Sequence, residues 1–177
     1  MRLFFALTFE DEVKRQLSQY RDGLADHALQ GNFTREVNFH LTLAFIGQSS
    51  VPQSQALTDI LYALTERVSC PPVLEIAHLG AFKRKSCDLI WLSVAKEQRL
   101  MQLQKQLMTL LATAGYPIEK RNFTPHITLG RNIVMRAELS ELLLPTAVLP
   151  VRSLALMESK QQGGKLVYEV IDEISLS

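Results

Sequence analysis

Phe39-His40-Leu41-Thr42-Leu43 and Pro125-His126-Ile127-Thr128-Leu129 are two versions of one pattern, set 86 positions apart. Each is a histidine, an aliphatic residue, a threonine and a second aliphatic residue. In an extended strand, residues two apart share a face. His40 and Thr42 therefore point one way and Leu41 and Leu43 the other, and the same alternation separates His126 and Thr128 from Ile127 and Leu129. Each strand buries its aliphatic side and presents one imidazole and one hydroxyl on the opposite side. Brought face to face, the two strands would enclose a polar cleft with an acid–base pair.

Working outward, residues 2–9 read as a strand. Positions 11–29 read as a helix, with Val13, Leu17, Tyr20, Leu24 and Ala28 at spacings of three and four and Gly31 as its stop. The first motif strand covers about 39–46. A second helix begins near Pro52, a residue suited to a first turn. Two strands, about 73–82 and 88–95, form a hairpin around the basic tip Lys83-Arg84-Lys85. A third helix spans about 96–114 and is closed by Gly115 and Pro117. The second motif strand follows at about 125–130. A short helix is predicted over Glu138–Leu144, ended by Pro145, and the last strands lie near 147–158 and 165–174. Most successive strands are hairpin-linked, which favours antiparallel sheet under helices, an α+β arrangement, over alternating βαβ units. No GxGxxG follows a strand and no P-loop is present, which argues against a Rossmann-type nucleotide site. The duplicated motif suggests two related lobes facing each other.

A chain of 177 residues, 47% hydrophobic and 21% charged, can bury a sufficient core without a disulfide or metal staple. Its formal net charge of +1 builds in no long-range attraction to a polyanion, so any nucleic-acid contact must be local. Cys70 and Cys87 have neither zinc-ligand nor redox-motif spacing and suit a reducing compartment. The apolar opening Met1–Phe9 is short and runs at once into Glu10-Asp11-Glu12, unlike a signal peptide. No apolar run reaches the ~18–20 residues of a membrane span. A cytoplasmic protein with no membrane partner is expected.

Histidine gives or takes a proton near neutrality, because its ordinary pKa is about 6.5. A pair can divide the work, the neutral ring activating a nucleophile and the protonated ring serving the leaving group. Displacement at a phosphodiester needs both acts on opposite sides of phosphorus. The threonine hydroxyls can donate to the non-bridging oxygens. A cyclic phosphate is strained and already reactive, so no metal is demanded, and no dense set of acidic residues and histidines is at hand to hold one.

NFHLTLAFIG and FTPHITLGR resemble the two signature segments of the two-histidine (2H) phosphoesterase superfamily, and within it the LigT-like RNA 2',3'-cyclic phosphodiesterases, also called 2'-5' RNA ligases. The likeness extends over essentially the whole chain. It takes in the opening RLFFAL strand, the hairpin from Gly80-Ala81-Phe82 to Ile90-Trp91-Leu92, and the closing pair from Leu156 to Tyr168 with Ser159. The resemblance implies one bilobal α+β domain over residues 1–177, with two antiparallel sheets facing a central cleft and helices on the outer faces. It implies metal-independent, cofactor-free hydrolysis of RNA 2',3'-cyclic phosphate ends to 2'-phosphomonoesters, and reversible 2'-5' joining of tRNA halves. By position, His40 would protonate the departing 3' oxygen, His126 would activate water, and Thr42 and Thr128 would hold phosphate oxygens. A monomer acting on RNA 3' ends is the expectation.

Two further residues are proposed to bind substrate. Strict alternation puts Arg131 on the face opposite His126, so it reaches the phosphate only if Gly130 permits a kink or bulge. Phe5 offers a ring on which a base could stack, although strand aromatics are commonly core. The basic tip Lys83-Arg84-Lys85 reads either as an RNA contact or as a solvated turn. His27 reads as exposed, His78 as structural and Trp91 as core. Two rivals share the scaffold. One is a non-catalytic RNA-end or nucleotide binder, which would bind without turnover. The other is the same chemistry on a different cyclic phosphate or a 2'-5' oligonucleotide.

Overall fold

The computed structural model describes residues 1–176. Strand β1 (Arg2–Thr8) leads into α1 (Asp11–Asp26), then β2 (Ala28–Phe33), a 3-10 turn at Glu36–Asn38 and β3 (Leu41–Gln48). Helix α2 (Val51–Arg67) is followed by β4 (Val73–Lys83), β5 (Asp88–Val94) and α3 (Gln98–Thr113). The chain closes with β6 (His126–Met135), a 3-10 turn at Leu139–Glu141, β7 (Val148–Pro150), β8 (Ser153–Gln162) and β9 (Lys165–Ser175). Two sheets result, ordered β3-β1-β8-β9 and β2-β6-β5-β4-β7, with every pairing antiparallel. The fold is α+β, and each sheet carries one copy of the histidine motif.

The helices form where apolar spacing and capping agree. Ser50 caps α2 through the Gln53 N–H, and Gln53 returns the bond to the Ser50 N–H, a capping box with Pro52 in the first turn. Leu57, Leu61 and Leu64 form its fully buried stripe. In α3 the buried stripe is Leu100, Leu103, Leu107 and Leu111. Helix α1 packs on β2 and β6, whereas α2 and α3 pack on each other and against β8, β9 and β3. One apolar cluster joins these stripes to Leu3, Phe5 and Leu7 of β1, Leu41 and Leu43 of β3, and Ile127 and Leu129 of β6.

Three sequence expectations shift at the element ends. The first helix stops at Asp26 rather than 29, and Ala28–Phe33 becomes β2, an edge strand on β6. Its residues alternate poorly and Leu29 is exposed, so the pairing with β6, not local preference, decides its state. The strand expected near 147–158 is two strands in different sheets. Pro150 ends β7, and the chain then crosses between sheets, with the Val151 N–H on the Pro72 carbonyl and the Arg152 N–H on the Thr8 carbonyl. The second motif strand runs on to Met135, and the segment after it contains only a 3-10 turn instead of the short helix.

Candidate active site

Both histidines are held in the same way. The Nδ1 of His40 lies 2.7 Å from the Asn38 carbonyl, and the Nδ1 of His126 lies 2.6 Å from the Thr124 carbonyl, in each case two residues upstream. A carbonyl only accepts, so Nδ1 carries the proton in both rings and Nε2 is left as the working nitrogen. The Nε2 of His40 accepts from the Thr42 hydroxyl at 2.9 Å. His126 Nε2 has no protein hydrogen-bond partner among the described residues. Asn38 is buried and ties the first motif to β9, donating to the Leu166 carbonyl at 2.9 Å and accepting from the Tyr168 N–H at 3.3 Å.

Each imidazole is flanked by two aromatic rings. His40 lies 5.0 Å from Phe4 and 4.9 Å from Tyr168 between ring centroids, and His126 lies 5.3 Å from Phe82 and 5.5 Å from Trp91. Rings at this distance strip water from the imidazoles and fix their planes. Trp91 is 8% exposed, but it stands outside the main core and faces His126, and its indole N–H has no partner. Gly80 makes this possible, because a Cβ there would fall 2.2–2.5 Å from the six-membered ring of Trp91.

The strands bulge at the same point after each motif. Ala6 pairs with Thr42 and Phe5 with Ala44, leaving Leu43 as the extra residue. Trp91 pairs with Thr128 and Ile90 with Gly130, leaving Leu129 as the extra residue. A bulge places two successive residues on one side, so the next residue returns to the face it would otherwise leave. Ala44 and Gly130 stay buried, while Phe45 and Arg131 turn out beside Thr42 and Thr128. Arg131 thus gains the kink that the sequence required of Gly130. Its positive charge acts on both imidazoles and holds both pKa values down.

Phe5 is corrected. It is 0% exposed, on the opposite face of β1 and inside the main core, out of reach of any ligand. The ring beside the histidine is Phe4, in a small cluster with Ala6, Ala155, Met157 and Tyr168. Pairing of β1 with β3 and β8 decides which face meets the cleft, and hydrophobicity marks Phe4 and Phe5 equally. Asn38, Phe82, Trp91 and Tyr168 are further site residues that alternation within the two motifs could not indicate. Their sequence signal is the spacing of aromatic residues in neighbouring strands, which becomes legible only once register is known. His27 and His78 stand apart from both motif histidines, although His78 touches Trp91.

Burial pushes His40 from 6.5 to about 4, with Arg131 and His126 adding repulsion and the Asn38 carbonyl opposing it. Burial also lowers His126, again against a backbone carbonyl and with Arg131 assisting. His126 adds the smallest of the contributions that lower His40, and the strands that carry the two motifs, β3 and β6, are in contact. The sign for stability follows from the lowered value. Between pH 6.5 and about 4 the unfolded chain binds more protons at this position, so stability falls as pH falls through that window. Denaturant unfolding at pH 7 and pH 4.5 should show wild type losing on the order of 2 kcal/mol more than His40→Gln. Equal losses would mean that His40 is not held neutral by the fold.

Two half-buried rings, one with its Nε2 on the Thr42 hydroxyl and one with Nε2 unpartnered among the described residues, can with two hydroxyls and one guanidinium move protons and neutralise the charge of an anion. Among the described residues no group of three or more His, Cys, Asp or Glu side chains lies together. No helix among them is long and apolar enough to cross a membrane.

Fold and paired motifs together define a phosphoesterase-type α+β scaffold with a histidine on each sheet. A family model described as the 2'-5' RNA ligase superfamily matches residues 9–163, and the chain belongs to that superfamily. It is 36% identical over 134 residues to an RNA 2',3'-cyclic phosphodiesterase of Thermotoga maritima, covering 74% of this chain and 70% of the relative. The Escherichia coli RNA 2',3'-cyclic phosphodiesterase is 33% identical over 135 residues, covering 74% of this chain and 72% of that one. The crystal structure of E. coli LigT complexed with 3'-AMP aligns with a TM-score of 0.74 at 26% identity, over 99% of this chain and 98% of that one.

Proposed function

We propose that this chain hydrolyses RNA 2',3'-cyclic phosphate ends to 2'-phosphomonoesters, with His40 and His126 as acid and base. The observation that carries the reading is the matched tethering of the two imidazoles, each with Nδ1 on a carbonyl and Nε2 turned to a site that also feels Arg131. The relatives named as RNA 2',3'-cyclic phosphodiesterases and the LigT complex with 3'-AMP support the substrate class. Water loses a proton to His126 Nε2 as its oxygen bonds to phosphorus. The P–O3' bond breaks in line, and His40 Nε2–H delivers a proton to the departing O3'. Thr42, Thr128 and Arg131 donate to the non-bridging oxygens as charge grows there.

His40 is neutral at pH 7 in the free protein, given its pKa of about 4. The anionic phosphate seated between the rings favours the protonated form, so substrate itself raises His40 into its working state. Putting a 5'-hydroxyl in the place of water gives the reverse-type outcome, a 2'-5' phosphodiester, by the same proton transfers. The steps require no metal, because proton transfer and the donors already present account for both the nucleophile and the leaving group.

The direct test incubates the protein with an oligoribonucleotide ending in a 2',3'-cyclic phosphate, with EDTA present. A 2'-phosphomonoester formed along a bell-shaped pH profile is expected. A 3'-phosphate product, activity that disappears with chelator and returns with a divalent metal, or phosphate-dependent binding without turnover would each overturn the reading.

A further inference from the structure

We infer that the tip of the β4–β5 hairpin, Arg84 and Lys85, holds the backbone of an incoming 5'-hydroxyl RNA strand and so sets the balance between joining and hydrolysis. The inference rests on the acid and base roles proposed above. In that scheme the nucleophile enters from the His126 side and the leaving oxygen departs on the His40 side. Whatever lies beside His126 is therefore where a competing nucleophile must be held.

What lies there is this hairpin. The ring of Phe82 meets the His126 ring edge-on at 5.3 Å and is itself 41% exposed, leaving area free for a base to stack. The tip begins at the next residue. Lys83 is committed to Asp88 at 2.9 Å, but Arg84 and Lys85 are exposed and form no ion pair among the described residues. β4 ends at Lys83, so Arg84 and Lys85 lie in the turn just beyond it, no more than roughly 7–10 Å of chain from Phe82 and within reach of the phosphates just downstream of a 5' end. The tip also borders a groove of about 540 Å³ whose other wall carries Arg136 together with Glu138 and Glu141. A net charge of +1 gives the rest of the molecule little general pull on RNA, which makes a local pair of cations count.

The chemistry balances with the same residues. The 5'-OH gives its proton to His126 Nε2, the P–O5' bond forms, the P–O3' bond breaks, and O3' takes the proton of His40. Water and the 5'-OH compete for one position, and water wins unless the strand is bound.

The test uses a nucleoside 2',3'-cyclic phosphate as donor, which has no upstream chain for the tip to touch, and a 5'-hydroxyl oligoribonucleotide as acceptor. The ratio of 2'-5'-joined to hydrolysed product is followed for wild type and for the exposed double variant Arg84→Glu/Lys85→Glu. We expect hydrolysis of the donor alone to be unchanged. The joined fraction should fall roughly tenfold at low salt, and the slope of its logarithm against log salt should flatten by about 1.4 for two lost phosphate contacts. An unchanged ratio would overturn the inference. So would wild type that hydrolyses donor but neither joins nor is inhibited by the acceptor. A variant with raised KM for an oligoribonucleotide cyclic end and an unaltered ratio would instead place the tip on the other strand, overturning it as well. Wild type that leaves the nucleoside cyclic phosphate intact would refute the proposed hydrolysis itself, a result distinct from these.

Discussion

His40→Ala and His126→Ala should each lower turnover of a 2',3'-cyclic phosphate by about 10²–10⁴-fold, with the double variant little worse than the poorer single one. Non-additivity follows from the proposed mechanism, in which both rings act in one displacement and losing either leaves the other without a partner step. The folded state should survive, because both rings lie outside the main core. Far-UV circular dichroism and a cooperative melt check this. A 2'-O,3'-S-cyclic phosphorothiolate separates the roles, since a thiolate leaves without a proton. His40→Ala should recover most of its loss on that substrate, and His126→Ala should not. The opposite pattern would exchange acid and base, and near-normal rates in both single variants would remove the histidines from the mechanism.

Phe5→Ala should cost about 3–5 kcal/mol of stability, the range for deleting a fully buried aromatic ring. Phe5 has 0% exposure and pairs across β1 with Ala44 and Leu156, in the cluster shared by both sheets. Phe4→Ala is the contrast. Its ring covers His40, so its removal should admit water and move the His40 pKa up from about 4 toward the ordinary 6.5. Urea unfolding measures the first effect, and the pH dependence of the His40 ring proton shifts measures the second. If Phe5→Ala were neutral for stability and impaired nucleotide binding instead, the facing assigned to β1 would be wrong.

These two neighbours show how far sequence reaches. Alternation within HLTL and HITL was enough to set His40 and Thr42 against Leu41 and Leu43, because a strand obeys that geometry whatever surrounds it. Along Leu3-Phe4-Phe5-Ala6-Leu7 every residue is apolar and buried, so no alternation marks a side. Only the register with Thr42 and Ala155 orients that strand. The bulge is an intermediate case. Gly130 made it conceivable, but the extra residue exists only because Trp91 and Ile90 pair across it. The equivalent bulge at Leu43 carries no glycine and was not legible at all.

By itself, then, the sequence determined the α+β class, the three helices, the β4–β5 hairpin and the four polar side chains of the two motifs. All of these depend on local periodicity and on caps, which act within a few residues of chain. Tertiary structure decided that Ala28–Phe33 is a strand, that the segment after Thr146 divides between two sheets, that Phe4 rather than Phe5 covers His40, and that Arg131 faces the imidazoles. The physical reason is that hydrogen-bond register between strands is a property of two segments at once. A shift of one residue reverses every side chain, and burial by the partner strand chooses among registers that either strand alone would accept.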